Sequence, residues 1–255
     1  MDNLIILGSG RSGSSMLTGV LSHAGYFIGE NPDYLKKNKA NPKGFFEDYE
    51  INTINEDILR NNLITIPEPL RNRFFKSFTF YRARWLAILP RCKKLKSSHH
   101  IDNRIKAILN RQPFCYKDPR FSYTLPIWNR FLNADTKYLV IFREPNKTAE
   151  SIVRECCENK GLRRLRMTKQ RAFKVWISMY SHILKNYEVS IHKEQWMFFH
   201  YDHIFDTQQV SKLEAFTGVQ LDKSFADKHL SRTTHNSQKI PEKAQVVYDQ
   251  LLMLC

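Results

Sequence analysis

The N-terminal stretch LIILGSGRSGSS, residues 4–15, limits the possible folds more than any other part of the chain. Its first four residues form a short apolar run typical of a buried strand. Residues 14–24 then show the apolar spacing of a helix, which Gly25 ends. A strand, a glycine-rich turn and a helix in this order build an anion site, because loop amides and the helix N-terminus point at the ligand. The stretch therefore predicts a phosphate-binding loop in an α/β fold.

The rest of the chain alternates strands with helices. Apolar runs predict strands at 114–117, 138–142 and 196–201. Amphipathic spacing predicts helices at 49–62, 148–158, 168–187, 208–217 and 242–253. We therefore expect one domain over residues 1–255, with a P-loop-type, mostly parallel sheet and helices on both faces. Ligands in such sheets bind beyond the carboxyl ends of the strands.

The loop lacks the lysine on which ATP- and GTP-binding loops depend. Ser14 occupies that position, and Arg11 stands inside the loop instead. A triphosphate would lose its main cation, whereas arginine offers a planar fork to an oxyanion. A phosphate ester with less charge than a nucleoside triphosphate is the predicted ligand. The residues expected to bind it are Gly10, Arg11, Ser12, Gly13, Ser14 and Ser15.

A second anion-binding pair is expected at the same sheet edge. Arg143 follows the strand 138–142, and Ser151 lies in the first turns of the next helix. Arginine pairs bidentately with phosphate, and the serine hydroxyl adds another donor. Tyr201, at the end of the strand 196–201, is assigned to the same ligand site.

Four stretches together resemble the sulfotransferases that use 3′-phosphoadenosine 5′-phosphosulfate (PAPS). The segment RSGSS resembles their 5′-phosphosulfate loop, and Arg143 with Ser151 matches the pair that holds the nucleotide's 3′-phosphate. NPKGFFE, residues 41–47, is similar to an element of the bacterial members. KDPR, residues 117–120, is similar to their strand end, and tyrosylprotein sulfotransferases carry a related motif. The resemblance implies that a sulfuryl group moves from PAPS to a hydroxyl or amine, leaving adenosine 3′,5′-bisphosphate.

Such a reaction needs a base near the acceptor, a cation at the leaving oxygen and donors for the transferred group. Lys117 is assigned to the bridging oxygen of the leaving nucleotide, and Ser14 and Ser15 with the loop amides to the phosphosulfate. Arg11, whose fork suits an oxyanion at the loop, is also assigned as a catalytic residue. Glu47 is the preferred base, because it follows two aromatic residues that would partly bury it and because the family resemblance marks its position. The alternatives that remain open for the base are Asp48, Glu30, His99 and His100.

Two other functions remain as alternatives. A P-loop kinase or nucleotidase would use Asp202 to hold Mg²⁺, although the missing loop lysine argues against it. A nucleic-acid-binding protein would account for the net charge of +15 and for the basic run Arg163, Arg164 and Arg166. No DNA- or RNA-binding signature accompanies that charge, however. We expect no metal site and no nucleic-acid partner.

Residues 63–113 are basic and aromatic with weak periodicity, so we expect them to form an acceptor-binding insertion. This composition permits sugars, phenols, lipids or peptides, and the sequence leaves both the acceptor and the oligomeric state open. The five cysteines include no CxxC pair, which favours a reducing compartment. No secretory signal and no apolar run of the roughly 18 residues that span a bilayer are found, so a cytoplasmic location is expected.

Overall fold

The computed structural model describes residues 1–35, 44–63, 83–222 and 239–255. Four strands form one sheet in these ranges: β1 (Leu4–Leu7), β2 (Cys115–Lys117), β3 (Lys137–Phe142) and β4 (Trp196–His200). The strand order is β2-β1-β3-β4, and all neighbouring pairs are parallel. Each strand lies within one residue of its predicted bounds. The predicted α/β fold with a parallel sheet is therefore confirmed.

Helices cover both faces of this sheet. The described ranges contain α1 (Ser14–His23), α2 (Tyr49–Leu63), α3 (His99–Ile108), α4 (Phe121–Trp128), α5 (Pro145–Glu158), α6 (Lys169–Val189), α7 (Thr207–Thr217) and α8 (Glu242–Met253). The α5 helix begins three residues before its predicted start, because the Glu144 side chain accepts hydrogen bonds from the Asn146 and Lys147 amides and Pro145 fits the first turn. The sequence did not predict α3 or α4.

The core lies on both sides of β1. Ile5 and Leu7 pack into one buried cluster, which includes Trp176 of α6. Leu4 and Ile6 face the other way and pack with Leu17 of α1. Successive side chains of a strand point to opposite faces, so a four-residue apolar run fits a central strand that is buried on both sides.

The parallel direction of the strands brings their carboxyl ends to one edge. The loop predicted to bind phosphate, residues 8–15, follows β1 there, Lys117 ends β2, Arg143 follows β3 and Tyr201 follows β4. Tyr180 of α6 fixes the loop, since its hydroxyl donates to the Ile141 carbonyl at 2.6 Å and accepts from the Ser9 amide at 3.3 Å.

Part of the predicted insertion is folded against the domain. Ser98 caps the N-terminus of α3, because its hydroxyl accepts from the Ile101 amide, and the helix buries Ile101 and Ile105. Residues 64–82 of the insertion lie outside the described part of the chain, as do residues 41–43 of the NPKGFFE stretch. In the part that the structure describes, we find no helix with the length and apolar character needed to cross a membrane.

Candidate functional site

Two aromatic rings lie directly against the loop predicted to bind phosphate. A Cβ atom added at Gly13, which has φ of 96°, would lie 2.0 Å from Cδ2 of Tyr201. A Cβ atom at Gly10 would lie 2.5 Å from Cε3 of Trp85. Both glycines are therefore required for these contacts, and the loop is held between Tyr201 and Trp85.

The side chain of Arg11 extends from the loop along α5. Its Nε donates to Oγ of Ser151 at 3.1 Å, and its Nη1 lies 4.0 Å from Oε2 of Glu155. Burial lowers the pKa of Arg11, while the nearby Glu155 carboxylate opposes that shift. Two residues predicted for the cofactor, Arg11 and Ser151, are thus in direct contact.

Arg143 reaches the same region from the end of β3. Its guanidinium carbon lies 4.6 Å from the ring centroid of Tyr201, the ring that packs on Gly13. Burial raises the pKa of Tyr201, and the Arg143 cation opposes that shift. The structure therefore brings Gly13, Tyr201 and Arg143 together at one sheet edge.

The predicted base and the predicted catalytic lysine form a buried ion pair. Nζ of Lys117 lies 2.8 Å from Oε1 of Glu47 and donates to Oγ of Ser15 at 3.1 Å. The other Glu47 oxygen, Oε2, accepts from Nδ2 of Asn52 at 3.0 Å. Lys117 is 3% exposed and Glu47 6% exposed, so water screens this pair little. The arrangement places a proton acceptor, a cation and a loop hydroxyl within contact of one another.

Glu47 and Lys117 line a cavity of about 340 Å³ in front of the loop. Three further side chains that the sequence did not single out also face it: Asn52 from α2, Trp85 from a 3₁₀ turn and Glu155 from α5. The remaining lining residues include Gly10, Arg11, Ser14, Ser15, Tyr34, Phe45, Arg120, Asn159, Gly161 and Leu162.

The alternative bases do not line this cavity. Asp48 caps α2, because its Oδ1 accepts from the Glu50 and Ile51 amides at 2.9 and 3.1 Å. Glu30 is 68% exposed in its side chain and pairs with Arg111. His99 and His100 are exposed at the start of α3. Of the bases considered, Glu47 alone lies in the cavity as the described residues form it.

Asp202, which the kinase alternative needs as a metal ligand, lies 3.5 Å from Nζ of Lys147. Its carboxylate therefore already faces a cation. Across residues 1–35, 44–63, 83–222 and 239–255, no group of three His, Cys, Asp or Glu side chains is arranged to hold a metal ion.

A network of buried charged side chains lies next to the cavity, because its member Arg120 is one of the lining residues. Arg120, which is 2% exposed, lies 2.6 Å from Oε1 of Glu56 and 3.1 Å from Oδ1 of Asp118. The fully buried Glu56 also accepts from the amide and from Nη1 of Arg84, at 3.1 and 2.8 Å. Because Arg84 precedes Trp85, Glu56 fixes the turn that places the indole ring over Gly10.

The comparisons of this chain with known proteins agree on one family. The family profile described as "Sulfotransferase domain" matches residues 1–248. The solved structure "Sulfotransferase Domain from the Curacin Biosynthetic Pathway" is 18% identical with a TM-score of 0.55, covering 98% of this chain and 97% of that one. The "Sulfotransferase Domain from the Synechococcus PCC 7002 Olefin Synthase" is 16% identical with a TM-score of 0.55, covering 99% and 94%. At such identities these two structures establish the fold. A search of curated protein sequences gave no match.

Proposed function

The chain belongs to the sulfotransferase domain family, and from this premise we propose that it transfers a sulfuryl group from PAPS to a hydroxyl group of an acceptor. The contact of Lys117 with both Ser15 and Glu47 is the observation that carries the proposal. It joins the loop expected to hold the donor to the carboxylate expected to receive the acceptor's proton.

The available donors suit the two ends of the nucleotide. We assign the 5′-phosphosulfate to the loop residues Gly10 to Ser15, where backbone amides and the N-terminus of α1 favour an anion. We assign the 3′-phosphate to Arg143 and Ser151, with Tyr201 beside them. The contacts of Arg11 with Ser151 and of Tyr201 with Gly13 support one continuous site.

In the proposed reaction, the acceptor oxygen attacks sulfur from the side opposite the leaving nucleotide. A bond forms from the acceptor oxygen to sulfur, and the bond from sulfur to the bridging phosphate oxygen breaks. Glu47 takes the proton of the acceptor hydroxyl, and Lys117 stabilises the charge that develops on the leaving oxygen. Ser14 and Ser15 donate to the sulfuryl oxygens during transfer. Holding both reactants in line supplies the rest of the rate enhancement.

The first test concerns the cofactor, and its ligands are adenosine 3′,5′-bisphosphate and adenosine 5′-phosphate, measured by titration calorimetry. Arg143→Ala should weaken binding of the bisphosphate by about 2 kcal/mol, because a charge-assisted contact to the 3′-phosphate is lost. Binding of the monophosphate should change little. Equal losses for both nucleotides would contradict the assignment of the 3′-phosphate.

The second test concerns the reaction class. Radiolabelled PAPS is incubated with a panel of hydroxyl compounds, and both the labelled product and adenosine 3′,5′-bisphosphate are quantified. The proposal predicts equal amounts of the two, with EDTA having no effect on the rate. Transfer of phosphate from ATP that requires Mg²⁺ would instead establish the kinase alternative.

A further inference from the structure

The connection between α5 and α6 carries an unusual density of positive charge. Residues 160–174 contain seven Lys or Arg and no Asp or Glu. Six of these cations are exposed, and we call the first four, Lys160, Arg163, Arg164 and Arg166, the basic rim. Such a concentration of like charge creates a positive potential that attracts negatively charged ligands.

Packing of the intervening residues forces the basic rim outward. Leu162 is 8% exposed and Met167 6% exposed, and both belong to the buried cluster that includes Trp176. Leu165 packs against that cluster. The cations alternate with these apolar anchors. They are therefore displayed on a segment that is anchored to the core.

Backbone hydrogen bonds hold the same segment in place. The carbonyl oxygen of Asn159 accepts from the amides of Leu162 and Arg163 at 2.9 and 3.0 Å. Oδ1 of Asn159 accepts from the Gly161 amide at 2.9 Å. Across the described ranges, Lys160, Arg164 and Arg166 make no ion pair with a carboxylate. Their charges are thus available to a ligand.

The basic rim borders the cavity on the side away from the proposed 3′-phosphate site. Asn159, Gly161 and Leu162 line the cavity and lie between the rim cations in sequence. Asn159 follows Ser151 by two helical turns, which corresponds to about 12 Å along the axis. Because Asn159, Gly161 and Leu162 line the same cavity as Glu47, the basic rim adjoins the space that we assign to the acceptor.

Resting on the proposed function, we propose that the basic rim binds the negative groups of an acidic carbohydrate, one hydroxyl of which reaches Glu47. Tyr34 and Trp85 line the cavity with aromatic surface, and Asn52 adds a polar group beside Glu47. Amphipathic rings of this kind pack against the apolar face of a sugar while polar neighbours bind its hydroxyls. An extended peptide that binds by strand addition uses an exposed strand edge, whereas this cavity lies at the strand ends.

The test measures binding to the full chain saturated with adenosine 3′,5′-bisphosphate, by fluorescence anisotropy. The probes are a labelled oligogalacturonate, which carries one carboxylate per sugar, a neutral maltooligosaccharide of equal length and an oligoglutamate peptide. The wild type should bind the oligogalacturonate more tightly than either of the others. The triple variant Lys160→Glu, Arg164→Glu and Arg166→Glu should weaken that binding about tenfold or more, since each reversal removes one attraction and adds one repulsion.

A charge-matched control separates the effect of the basic rim on binding from the effect of the net charge. Lys193, Lys212 and Lys243 are exposed and lie outside both the cavity lining and residues 63–113, so their replacement by Glu changes the net charge equally. This control should bind the oligogalacturonate nearly as the wild type does. Equal losses in the two triple variants, tighter binding of oligoglutamate, or no preference over the neutral sugar would each overturn the proposal.

The nucleotide affinity of the same variants completes the design. The basic-rim variant should keep its affinity for adenosine 3′,5′-bisphosphate, which also shows that it is folded. A loss of that affinity would assign the basic rim to the cofactor and overturn the acceptor role. If the wild type itself does not bind the bisphosphate, the proposed function fails, and this result is distinct from a failure of the basic rim alone.

Discussion

At the scale of single residues, Glu47 and Lys117 neutralise each other before any substrate arrives. Their charged atoms lie 2.8 Å apart, and both side chains are buried. Charges interact more strongly there than in water. In the proposed reaction, an acceptor hydroxyl approaches the Glu47 carboxylate while Lys117 turns toward the leaving oxygen, and the ion pair holds these two groups at contact distance.

Replacing the proposed base, Glu47, should lower the turnover rate without changing nucleotide binding. Glu47→Gln keeps the side-chain shape but removes the proton acceptor, so kcat should fall roughly 10²- to 10⁴-fold. The dissociation constant for adenosine 3′,5′-bisphosphate should stay the same. Glu30→Gln serves as the control, because that exposed carboxylate pairs with Arg111 outside the cavity. Near-normal turnover in Glu47→Gln would show that the base is elsewhere.

Asn52 should act through Glu47, because its amide donates to Oε2 of that carboxylate. Asn52→Ala should lower kcat about fivefold, the scale of one hydrogen bond of about 1 kcal/mol. Asn52→Asp should cost more, since a second carboxylate at this distance favours protonation of the pair and moves the acidic limb of the kcat–pH profile upward. If kcat and its pH profile stay unchanged while only KM for the acceptor rises, Asn52 binds the acceptor rather than positions Glu47.

At the scale of elements, Glu56 joins three parts of the chain. It lies on α2, binds Arg120 at the start of α4 and binds Arg84 in the turn before Trp85. Glu56→Gln removes the carboxylate that Arg84 and Arg120 share, and although Asp118 stays 3.1 Å from Arg120, breaking a buried ion pair in this way costs about 3–5 kcal/mol of unfolding free energy.

Urea denaturation measures that loss. Glu188→Gln is the matched control, because Glu188 pairs with Arg91 where both side chains are more than half exposed. An exposed pair contributes about 1 kcal/mol or less. Similar effects of the two substitutions would show that the Glu56 network does not hold these elements together.

The elements that the sequence predicted are those with a strong local signal. All four strands are apolar runs, and α1, α5 and α6 place their apolar residues on one face. The α4 helix was missed because seven of its eight residues are buried and Pro126 lies inside it. A helix buried on every side shows no polar face, and an internal proline argues against a helix.

The site residues fall into the same two groups, those with a local sequence signal and those without one. The loop, Lys117, Arg143 and Tyr201 could be placed because each lies at or beside the carboxyl end of a strand. Asn52, Trp85 and Glu155 carry no signal of this kind. Their place in the cavity depends on how α2, the 3₁₀ turn and α5 pack against the sheet, and neither spacing nor composition encodes that packing.

At the scale of the whole molecule, His200 links the sheet to the C-terminal helix. Its Nδ1 accepts from the Asp202 amide at 3.3 Å, and its Nε2 lies 3.1 Å from the hydroxyl of Tyr248 on α8. Burial lowers the pKa of His200 from its ordinary 6.5 to about 4. The folded protein therefore holds this imidazole neutral in mildly acidic solution.

Stability should decrease as the pH falls from 6.5 to about 4, because in that window the unfolded chain binds a proton that the folded His200 refuses. Above pH 6.5, His200 is neutral in both the folded and the unfolded chain, so its contribution to the unfolding free energy is fully present. His200→Asn removes the titrating group, so its unfolding free energy should fall less steeply over the same range. Chemical denaturation at several pH values measures both slopes. Burial also lowers the pKa of His182, but this residue is present in both proteins and cancels in the comparison. Parallel curves would show that His200 is not protected in the fold.

The contact between Gly10 and Trp85 also constrains how this sequence can diverge. Any side chain at position 10 would begin 2.5 Å from the indole ring, so a lineage that keeps the tryptophan must keep the glycine. If position 85 first becomes a small residue, position 10 can then accept a side chain. Substitutions at this pair must therefore occur in a fixed order: the tryptophan at position 85 is lost first, and only then can position 10 change. A descendant with both a small residue at 85 and a larger one at 10 cannot regain tryptophan until glycine has returned.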